Sequence, residues 1–521
     1  MKLLELIPRS AYIAVRGGAL RVADGVRFDY ADFASWCAEA FFARTGLPDG
    51  GAARIALRRE AMPEEAYRLT VTETGAEIKA ASERGVIWAL TTLYKLIDGG
   101  KIDCCDISDA PKYAHRALSL DCARHFFPAA EVMRIIEGAA LEKLNVLHWH
   151  LSDDQGWRVE SERFPRLNEC GGEYYTKDEI RTVVEYAHVR GVEIVPEIDL
   201  PGHTSAILAA YPELSCTGEP VALKTAGGVY SVILCAGKDS VFDFIEALLD
   251  ELCPLFPSAR FHIGGDEAPK TRWRACPDCQ ARIEALGLGG AEQLQGYFNC
   301  RAADMLRARG KRVICWNEAL RAHRVPDGAQ IQYWTLQHRH QMQQYAEAGG
   351  EWIYSDMFEL YFDYPHSMIP LKRVYTVRPH FGRKPFEGTG LIGLEGCLWA
   401  EHIKDRGRLE SRAFPRAAAL AELALSGEGD YDGFKRRLRA DVEYLERAGI
   451  TPTPEDWWDP KGRSRLEEAV GYLTHMNASI PAEGRPEVEP SRELMQNFVQ
   501  KFFKLTDIPA LISSMRKSGR G

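Results

Sequence analysis

The sequence contains no uninterrupted apolar run long enough to cross a membrane, although 45% of its 521 residues are hydrophobic. A membrane-spanning helix needs about 20 predominantly apolar residues in succession. The first 15 residues include Glu5, Pro8 and Arg9, so they lack the apolar core of a secretory signal. We therefore expect no membrane partner and a cytoplasmic protein.

The chain also lacks any run of basic residues. Lys and Arg number 65 against 74 Asp and Glu, which gives a net charge of −9. Nucleic acids and anionic surfaces are bound by basic patches. We therefore expect no nucleic-acid partner, and a neutral ligand fits this charge balance better.

Cysteine, in contrast, is plentiful, with thirteen residues. Without an export signal they are expected to be reduced thiols. Cys276 and Cys279 form a CxxC pair. A zinc or redox role for this pair would require a second ligand pair or a thioredoxin-like unit, and the sequence indicates neither. We expect structural thiols, no metal and no cofactor.

Three segments of the chain differ in their residue patterns. Residues 1–110 combine alternating strand-like stretches with a helix-like stretch at 83–98, which predicts a small α+β domain. Residues 111–429 alternate between strand and helix patterns and are predicted to form the catalytic domain. Residues 430–521 are predicted to be a helical extension. Its predicted helices are Phe434–Ala448, Ser464–Asn477 and Arg492–Phe503.

Eight strand candidates occur within residues 111–429, and amphipathic stretches lie between most of them. The candidates are Ala117–Asp121, Asn145–His150, Glu193–Ile198, Arg260–Gly265, Arg312–Asn317, Ala329–Thr335, Trp352–Asp356 and Leu391–Trp399. The helical stretches include Ala129–Lys143, Lys177–Arg190, Val241–Leu252 and Leu294–Arg309. A (β/α)8 TIM barrel and a doubly wound sheet would both alternate in this way. The barrel is favoured because no Gly-rich phosphate loop follows the first strand.

Every predicted strand ends in charged or aromatic side chains. These are Arg124, Asp153, Glu197, Asp266 with Glu267, Trp316, Trp334, Asp356, and Trp399 with Glu401. In such barrels the C-terminal ends of the strands carry the reactive groups. Trp rings suit the apolar faces of a pyranose, and Asp, Glu and Arg suit its hydroxyls. The pattern predicts hydrolysis of a sugar.

The adjacent carboxyls of Asp266 and Glu267 are candidates for acid/base work, because burial beside another carboxylate raises a carboxyl pKa. Retaining glycosidases usually place two carboxyls across the scissile bond, about 5 Å apart. On an extended backbone, neighbouring side chains start on opposite sides. Either another carboxylate is therefore the nucleophile, or the substrate supplies its own.

Five segments together resemble glycoside hydrolase family 20, the β-N-acetylhexosaminidases. They are DCARHFFP at 121–128, LHWHLSDDQGWR at 147–158, PEIDLPGH at 196–203, HIGGDE at 262–267 with Trp273, and CLWAEH at 397–402. The match covers most of the chain in order. The resemblance implies exo-acting, retaining removal of terminal β-linked N-acetylhexosamine (GlcNAc or GalNAc) from a glycan. It also implies substrate-assisted catalysis through an oxazolinium intermediate.

The resemblance implies a role for each matching residue. Glu267 resembles the general acid and base, Asp266 the acceptor of the acetamide N–H, and Tyr361 the donor to the acetamide carbonyl. The acetamide walls correspond to Trp316, Trp334 and Trp399. The groups that hold the outer hydroxyls correspond to Arg124, Asp363 and Glu401. Asp153 and His203 resemble a relay to Glu267, with Asp154 an open alternative to Asp153.

Other interpretations stay open at this point. A biosidase of the same family would release a disaccharide, and double displacement would use a protein nucleophile. A non-catalytic sugar-binding protein would lack a key carboxyl or Tyr361, and none is missing. Arg116 precedes the first strand, at the end away from the sugar, and is interpreted as structural. His148 and His150 are interpreted as packing inside the barrel.

Overall fold

The computed structural model describes residues 2–322, 324–381, 385–386, 388–427, 429–485 and 501–502. Its N-terminal part is a six-stranded sheet with two helices. The strands are β1 (Tyr12–Arg21), β2 (Val26–Asp29), β3 (Ala53–Arg59), β4 (Tyr67–Thr72), β5 (Gly75–Ala80) and β6 (Lys101–Asp109), in the order β1-β6-β4-β5-β3-β2. The helices are α1 (Glu39–Thr45) and α2 (Glu83–Leu96).

Period-two burial in β4 shows why this sheet forms. Tyr67, Leu69 and Val71 are buried on one face and alternate with more exposed residues. Helix α2 packs against β4 and β5, and its first turn is capped by the Ser82 side chain, which accepts a hydrogen bond from the Gly85 N–H. The expected α+β pattern of this part is therefore present.

Eight parallel strands form a closed barrel, which confirms the predicted fold class over the doubly wound alternative. They are β7 (His115–Asp121), β8 (Val146–His150), β11 (Glu193–Glu197), β12 (Arg260–His262), β13 (Arg312–Trp316), β14 (Gln330–Tyr333), β15 (Glu351–Tyr354) and β16 (Leu391–Leu398). Two short strands, β9 (Ser152–Asp153) and β10 (Gly156–Trp157), pair as a hairpin after β8.

Strand β12 is shorter than predicted, ending at His262 rather than Gly265. Gly264 and Gly265 have φ angles of +65° and +93°, which are incompatible with an extended strand. A Cβ on Gly264 would lie 1.8 Å from the Asp199 Oδ1 atom, so only glycine fits there. The backbone therefore leaves the barrel wall immediately before Asp266.

Helices surround the barrel, and most predicted helices begin or end within a few residues of the observed ones. They are α3 (Ala129–Leu141), α4 (Lys177–His188), α5 (Ser205–Ala210), α6 (Asp239–Leu252), α7 (Thr271–Ala275), α8 (Pro277–Ala285), α9 (Ala291–Ala308), α10 (Arg339–Glu347), α11 (Leu371–Tyr375), α12 (Arg406–Ala413) and α13 (Arg416–Ser426). Helix α4 begins with a capping box formed by Thr176 and Glu179.

Two long helices follow the barrel, α14 (Tyr431–Arg447) and α15 (Gly462–Ser479), where two helices were predicted. The third predicted helix, Arg492–Phe503, lies outside the described residues except for 501 and 502. The division of the chain at 110 and 429 stays a prediction. No helix in the described ranges is both long and apolar enough to span a bilayer.

Arg116 links the N-terminal sheet to the bottom of the barrel. Its guanidinium is fully buried, pairs with the Glu65 carboxylate, and donates to the backbone carbonyls of Lys143 and Tyr113 at 3.1 and 2.9 Å. Glu65 also accepts from the Asn145 amide at 2.6 Å. The structure thus places Arg116 away from the strand C-termini, as the sequence predicted.

Candidate active site

The segment after β12 carries the two candidate catalytic carboxyls on a turn that the glycines create. Asp266 and Glu267 follow Gly264 and Gly265, and Glu267 itself has a φ of +40°. A non-glycine residue in this region is uncommon and costs about 1 to 3 kcal/mol, and such strain is concentrated at functional sites. The turn separates the two neighbouring carboxyls, so that each faces different surroundings.

His203 lies between these two carboxyls. Its Nε2 atom is 3.5 Å from the Glu267 Oε2 atom and 4.0 Å from the Asp266 Oδ2 atom. Asp266 is largely buried, with 13% of its side chain exposed, whereas 34% of the Glu267 side chain is exposed. Among the described residues, the buried Asp266 Oδ1 atom has no hydrogen-bond partner. That oxygen is available to accept from a ligand.

Asp153 and Asp154, the two aspartates of the LSDD segment, both contact His203. Either one, or both, can therefore take part in the predicted relay to Glu267. The Nδ1 atom of His203 lies 3.2 Å from Asp153 Oδ1 and 3.2 Å from Asp154 Oδ2. Asp154 Oδ1 accepts from the Ser205 backbone N–H at 3.0 Å, while Asp153 Oδ2 pairs with Arg124 at 2.6 Å. Burial alone would lower the pKa of His203, but Asp153 and the other carboxylates outweigh it and raise this pKa well above its usual value.

Burial and like charge raise the pKa of two carboxyls in this site. Desolvation, with the charge of Glu267 adding to it and His203 opposing it, raises the pKa of Asp266 to about 6. Glu318, in the short 3-10 helix after β13, accepts a hydrogen bond from the Glu267 backbone N–H. Burial, then Glu267 and Asp266, raises the pKa of Glu318 to about 8. The carboxyls of Asp266, Glu267 and Glu318 therefore lie close enough to affect one another's protonation.

Four aromatic side chains form one wall of the site. Tyr361 stacks on Trp334 with ring centroids 6.1 Å apart and an angle of 12° between the planes. Trp399 lies between Trp316, at 5.8 Å, and Tyr361, at 6.0 Å. The Trp399 indole N–H donates to the Tyr361 hydroxyl oxygen, which leaves the hydroxyl proton of Tyr361 available to a ligand. The structure therefore brings the four predicted aromatic residues together.

The three predicted sugar-hydroxyl binders lie beyond this aromatic wall. Arg124 pairs with Asp121 at 3.4 Å, lies 3.9 Å from Glu401, and stacks 5.1 Å above the Trp399 ring. Burial, with Glu401 adding to it, raises the pKa of Asp363 well above its usual value. The Arg124 Nε and Asp363 Oδ1 atoms are buried and have no hydrogen-bond partner in the described part of the chain. A polar ligand would satisfy both.

Below the pocket, Glu197 is the centre of a buried network inside the barrel. It accepts from the Trp316 indole N–H at 2.9 Å and lies 3.0, 2.5 and 2.9 Å from nitrogens of His148, His150 and His262. These histidines and Glu197 are at most 1% exposed. The interpretation of His148 and His150 as packing residues holds, and this network also fixes the Trp316 ring.

Comparisons with known proteins agree with this geometry. A family model described as "Glycosyl hydrolase family 20, catalytic domain" matches residues 113–428, and "Glycosyl hydrolase family 20, domain 2" matches residues 4–110. The catalytic model alone covers more than half of the chain. The chain belongs to glycosyl hydrolase family 20.

Relatives of this family 20 protein include a β-hexosaminidase from Porphyromonas gingivalis, 34% identical over 78% of this chain and 57% of the relative. The chain thus spans less than two thirds of that protein. A β-hexosaminidase from Akkermansia muciniphila is 34% identical over 73% of this chain and 84% of its own length. The solved structure of an exo-β-N-acetylglucosaminidase from Vibrio harveyi has a TM-score of 0.77 and 29% identity, covering 87% of this chain and 78% of that one.

The family 20 pocket also contains residues to which the sequence analysis assigned no role. The contact of Glu318 with the Glu267 backbone depends on the turn after β12, which the sequence does not indicate. Tyr472 of α15 places its hydroxyl 3.5 Å from Asp363 Oδ2. No spacing in the sequence connects Tyr472 with a residue more than one hundred positions away, so nothing in the pattern could have indicated it.

The loop between α5 and α6 also reaches this family 20 pocket. A Cβ on Gly227 would lie 2.9 Å from Glu401 Cγ, so the backbone approaches that carboxylate closely. The loop is joined to the C-terminal region, because the Val229 N–H donates to the Gly484 carbonyl at 2.8 Å. The pocket is therefore bounded on this side by residues distant in sequence.

The CxxC pair has different surroundings from those expected. Cys216 and Cys235 lie beside Cys276 and Cys279, and the four sulfur atoms are all within 4.8 Å of one another. The expectation that the pair has no further candidate ligands is wrong. Eighteen residues separate Cys216 from Cys235 in the chain, so the second pair resembles no compact motif.

Proposed function

We propose that this protein is an exo-acting, retaining β-N-acetylhexosaminidase that removes terminal β-linked GlcNAc or GalNAc by substrate-assisted catalysis. The observation that carries the proposal is the unpartnered, buried Asp266 Oδ1 atom beside an aromatic wall. An acetamide has an N–H donor, a carbonyl acceptor and an apolar methyl group. Asp266, Tyr361 and the Trp rings complement these three features in turn.

In the first step, Asp266 accepts the acetamide N–H and Tyr361 donates to the acetamide carbonyl oxygen. This orientation turns the carbonyl oxygen toward the anomeric carbon. As that oxygen attacks, the bond from the anomeric carbon to the leaving oxygen breaks, and Glu267 transfers its proton to the leaving oxygen. The product of this step is a cyclic oxazolinium, whose positive charge is stabilised by the Asp266 carboxylate.

In the second step, Glu267 acts as a base. It removes a proton from water, the water oxygen attacks the anomeric carbon, and the ring bond to the acetamide oxygen breaks. Two inversions at the anomeric carbon give net retention. His203, 3.5 Å from Glu267 and supported by Asp153 and Asp154, orients the carboxyl in both steps.

Removal of a single terminal sugar is supported by the closed polar end of the pocket. Arg124, Asp363 and Glu401 are proposed to bind the outer hydroxyls of that sugar. The Gly227 backbone lies beside Glu401 and the Tyr472 hydroxyl lies beside Asp363, and we expect them to leave no room for a second sugar. The biosidase alternative requires a wider pocket and is therefore disfavoured. The partner is an N-acetylated amino-sugar glycan.

The test is a panel of aryl glycosides that differ only at C2. The 2-acetamido β-glycosides should be hydrolysed, and those with a 2-hydroxyl should not. A thiazoline analogue of the oxazolinium should inhibit, with no covalent adduct on any Asp or Glu by mass spectrometry. An aryl disaccharide should release its aryl group only after its terminal sugar is removed. Equal hydrolysis of the 2-hydroxyl glycosides would refute the proposal.

We also propose a cytoplasmic location. All thirteen cysteines lie within the described residues as free thiols, the form that persists in a reducing compartment. Fractionation of the native cells followed by immunoblotting tests this location. Recovery of the protein outside the cytoplasm would contradict it.

A further inference from the structure

Four cysteines from two separate loops meet at the end of the barrel that carries the sugar site. Cys216 and Cys235 flank the segment 217–234, and Cys276 and Cys279 lie at the junction of α7 and α8. The Cys235 sulfur is 3.6 Å from that of Cys279 and 3.7 Å from that of Cys276, and the Cys216 sulfur is 4.0 Å from that of Cys279. The four sulfurs form one compact group.

These distances match a tetrahedral metal site and not a pair of disulfide bonds. Zinc–sulfur bonds of about 2.3 Å in a tetrahedron place the sulfurs about 3.8 Å apart. A disulfide would require about 2.05 Å. The three measured separations, 3.6 to 4.0 Å, lie around the tetrahedral value. All six separations are at most 4.8 Å, so the four sulfurs can surround a single ion.

We propose that Cys216, Cys235, Cys276 and Cys279 bind one structural zinc ion. Four soft thiolates in tetrahedral geometry suit zinc, and a set of four protein ligands leaves no open position for substrate. On binding, each thiol releases its proton to solvent and its sulfur donates an electron pair to the metal. No oxidation or reduction takes place.

The surroundings of the cluster exclude solvent and place N–H donors and a positive charge nearby. Cys235, Cys276 and Cys279 are at most 4% exposed, which shields an ion from solvent. The Gly237 backbone N–H donates to Cys235. Cys279 lies in the first turn of α8, where the exposed N–H groups and the helix dipole stabilise negative charge. The Lys238 ammonium donates to the Ser215 carbonyl at 2.6 Å, so a positive charge also lies close by.

The proposed ion would join two segments that both reach the sugar site. Cys216 and Cys235 form the base of the loop 217–234, where Ser215 and Leu234 already form an antiparallel bridge. This loop approaches Glu401 through Gly227. The other pair follows Asp266 and Glu267 by about ten residues in the chain. A zinc ion would therefore hold the pocket loop against the segment that follows the catalytic strand.

The first measurement is the metal content of the full-length wild type, expressed with added zinc and purified without chelator. Elemental analysis should find one zinc per chain, and native mass spectrometry should show the same stoichiometry. Replacement by cobalt(II) should give the d–d absorption of a tetrahedral site with sulfur-to-cobalt charge transfer. A wild type without stoichiometric metal, or with a metal other than zinc, would overturn the proposal.

Variants identify the ligands. Cys235→Ser and Cys279→Ser should lose the zinc, whereas Cys300→Ser and Cys170→Ser should retain it, because these two partly exposed cysteines lie outside the cluster. A strong chelator should lower the melting temperature of the wild type and leave that of Cys235→Ser unchanged. Retention of one zinc by both cluster variants would contradict the assignment.

A thiol count keeps the test decisive if the cluster variants do not fold. Wild type unfolded in chelator without reductant should show thirteen free thiols by mass spectrometry after alkylation. Two disulfides within the cluster would leave nine, four fewer, and would overturn the proposal. The metal content does not depend on the proposed glycosidase activity, so failure of one leaves the other testable.

Discussion

Replacement of Asp266 by Asn tests the proposed mechanism most directly. The change keeps the shape of the side chain and an oxygen that accepts the acetamide N–H, but it removes the negative charge. That charge is proposed to oppose the positive charge of the oxazolinium. The rate of the first step should therefore fall, while the fold and the ground-state hydrogen bond remain.

The magnitude follows from distance and dielectric. A group that donates its N–H to a carboxylate has its charge centre about 4 to 5 Å away, and at an effective dielectric constant of about 20 the Coulomb energy is about 3 to 4 kcal/mol. Removal of a single electrostatic stabiliser in other enzymes costs about 2.7 to 4 kcal/mol. Both values correspond to a loss in kcat of about 10²- to 10³-fold.

The pH profile provides a second, independent readout. The pKa of Asp266 is raised to about 6, so its carboxyl is protonated and neutral below that pH. The wild-type kcat/KM should therefore fall as the pH drops through about 6. In Asp266→Asn this change should disappear, because the group that titrates is gone.

The assay is kcat and kcat/KM on a 2-acetamido aryl glycoside from pH 4 to 9, together with the affinity of the thiazoline inhibitor. Asp356→Asn is a matched control, because Asp356 is another buried aspartate at the same end of the barrel, with a pKa raised to about 7. The control should retain its rate. An Asp266→Asn rate within a few-fold of wild type would refute the acetamide role.

Three further predictions concern Glu267, Glu318 and Arg116. Glu267→Gln should abolish hydrolysis of substrates with poor leaving groups and spare activated aryl glycosides. The measurement is the slope of log kcat against the pKa of the leaving group. An unchanged slope would exclude Glu267 as the general acid. The pKa of Glu318 is raised to about 8, so its carboxyl is neutral below that pH. Glu318→Gln should therefore retain the wild-type kcat/KM at pH 6 but lose any change in kcat/KM that titrates near pH 8. A large loss of kcat/KM at pH 6 would contradict this. Arg116→Met leaves the Glu65 carboxylate buried without its main partner, so it should destabilise the fold by about 3 to 5 kcal/mol. The melting temperature should fall, and kcat of the folded enzyme should be preserved. An unchanged melting temperature would show that the pair contributes little to stability.

The barrel could be predicted from the sequence, because its eight strands repeat a local pattern that can be recognised in each strand separately. It also located the candidate site, since the C-terminal ends of parallel strands meet at one end of a barrel. Asp266, Glu267, Trp316 and Trp399 were found in this way, whereas Tyr361 was implied only by the resemblance to family 20. Each lies on or next to a strand whose direction fixes the end of the barrel that it faces.

The contacts between residues of different loops could not be predicted from the sequence. The sequence did not indicate that β12 ends at His262, because the dihedral angles of Gly264 and Gly265 depend on the approach of Asp199. Nor did the sequence connect Tyr472 with Asp363, since the local pattern of a helix does not indicate which distant residues it contacts. These contacts depend on packing over long distances in sequence.

The four-cysteine cluster is the clearest example of a group of residues that the sequence did not predict. Cys276 and Cys279 form a recognisable pair, but Cys216 and Cys235 stand apart in the chain and are brought together at the base of a loop. Strands and helices follow from short-range periodicity, which a sequence displays directly. A ligand set built from two loops depends on where those loops fold, and only the three-dimensional structure contains that information.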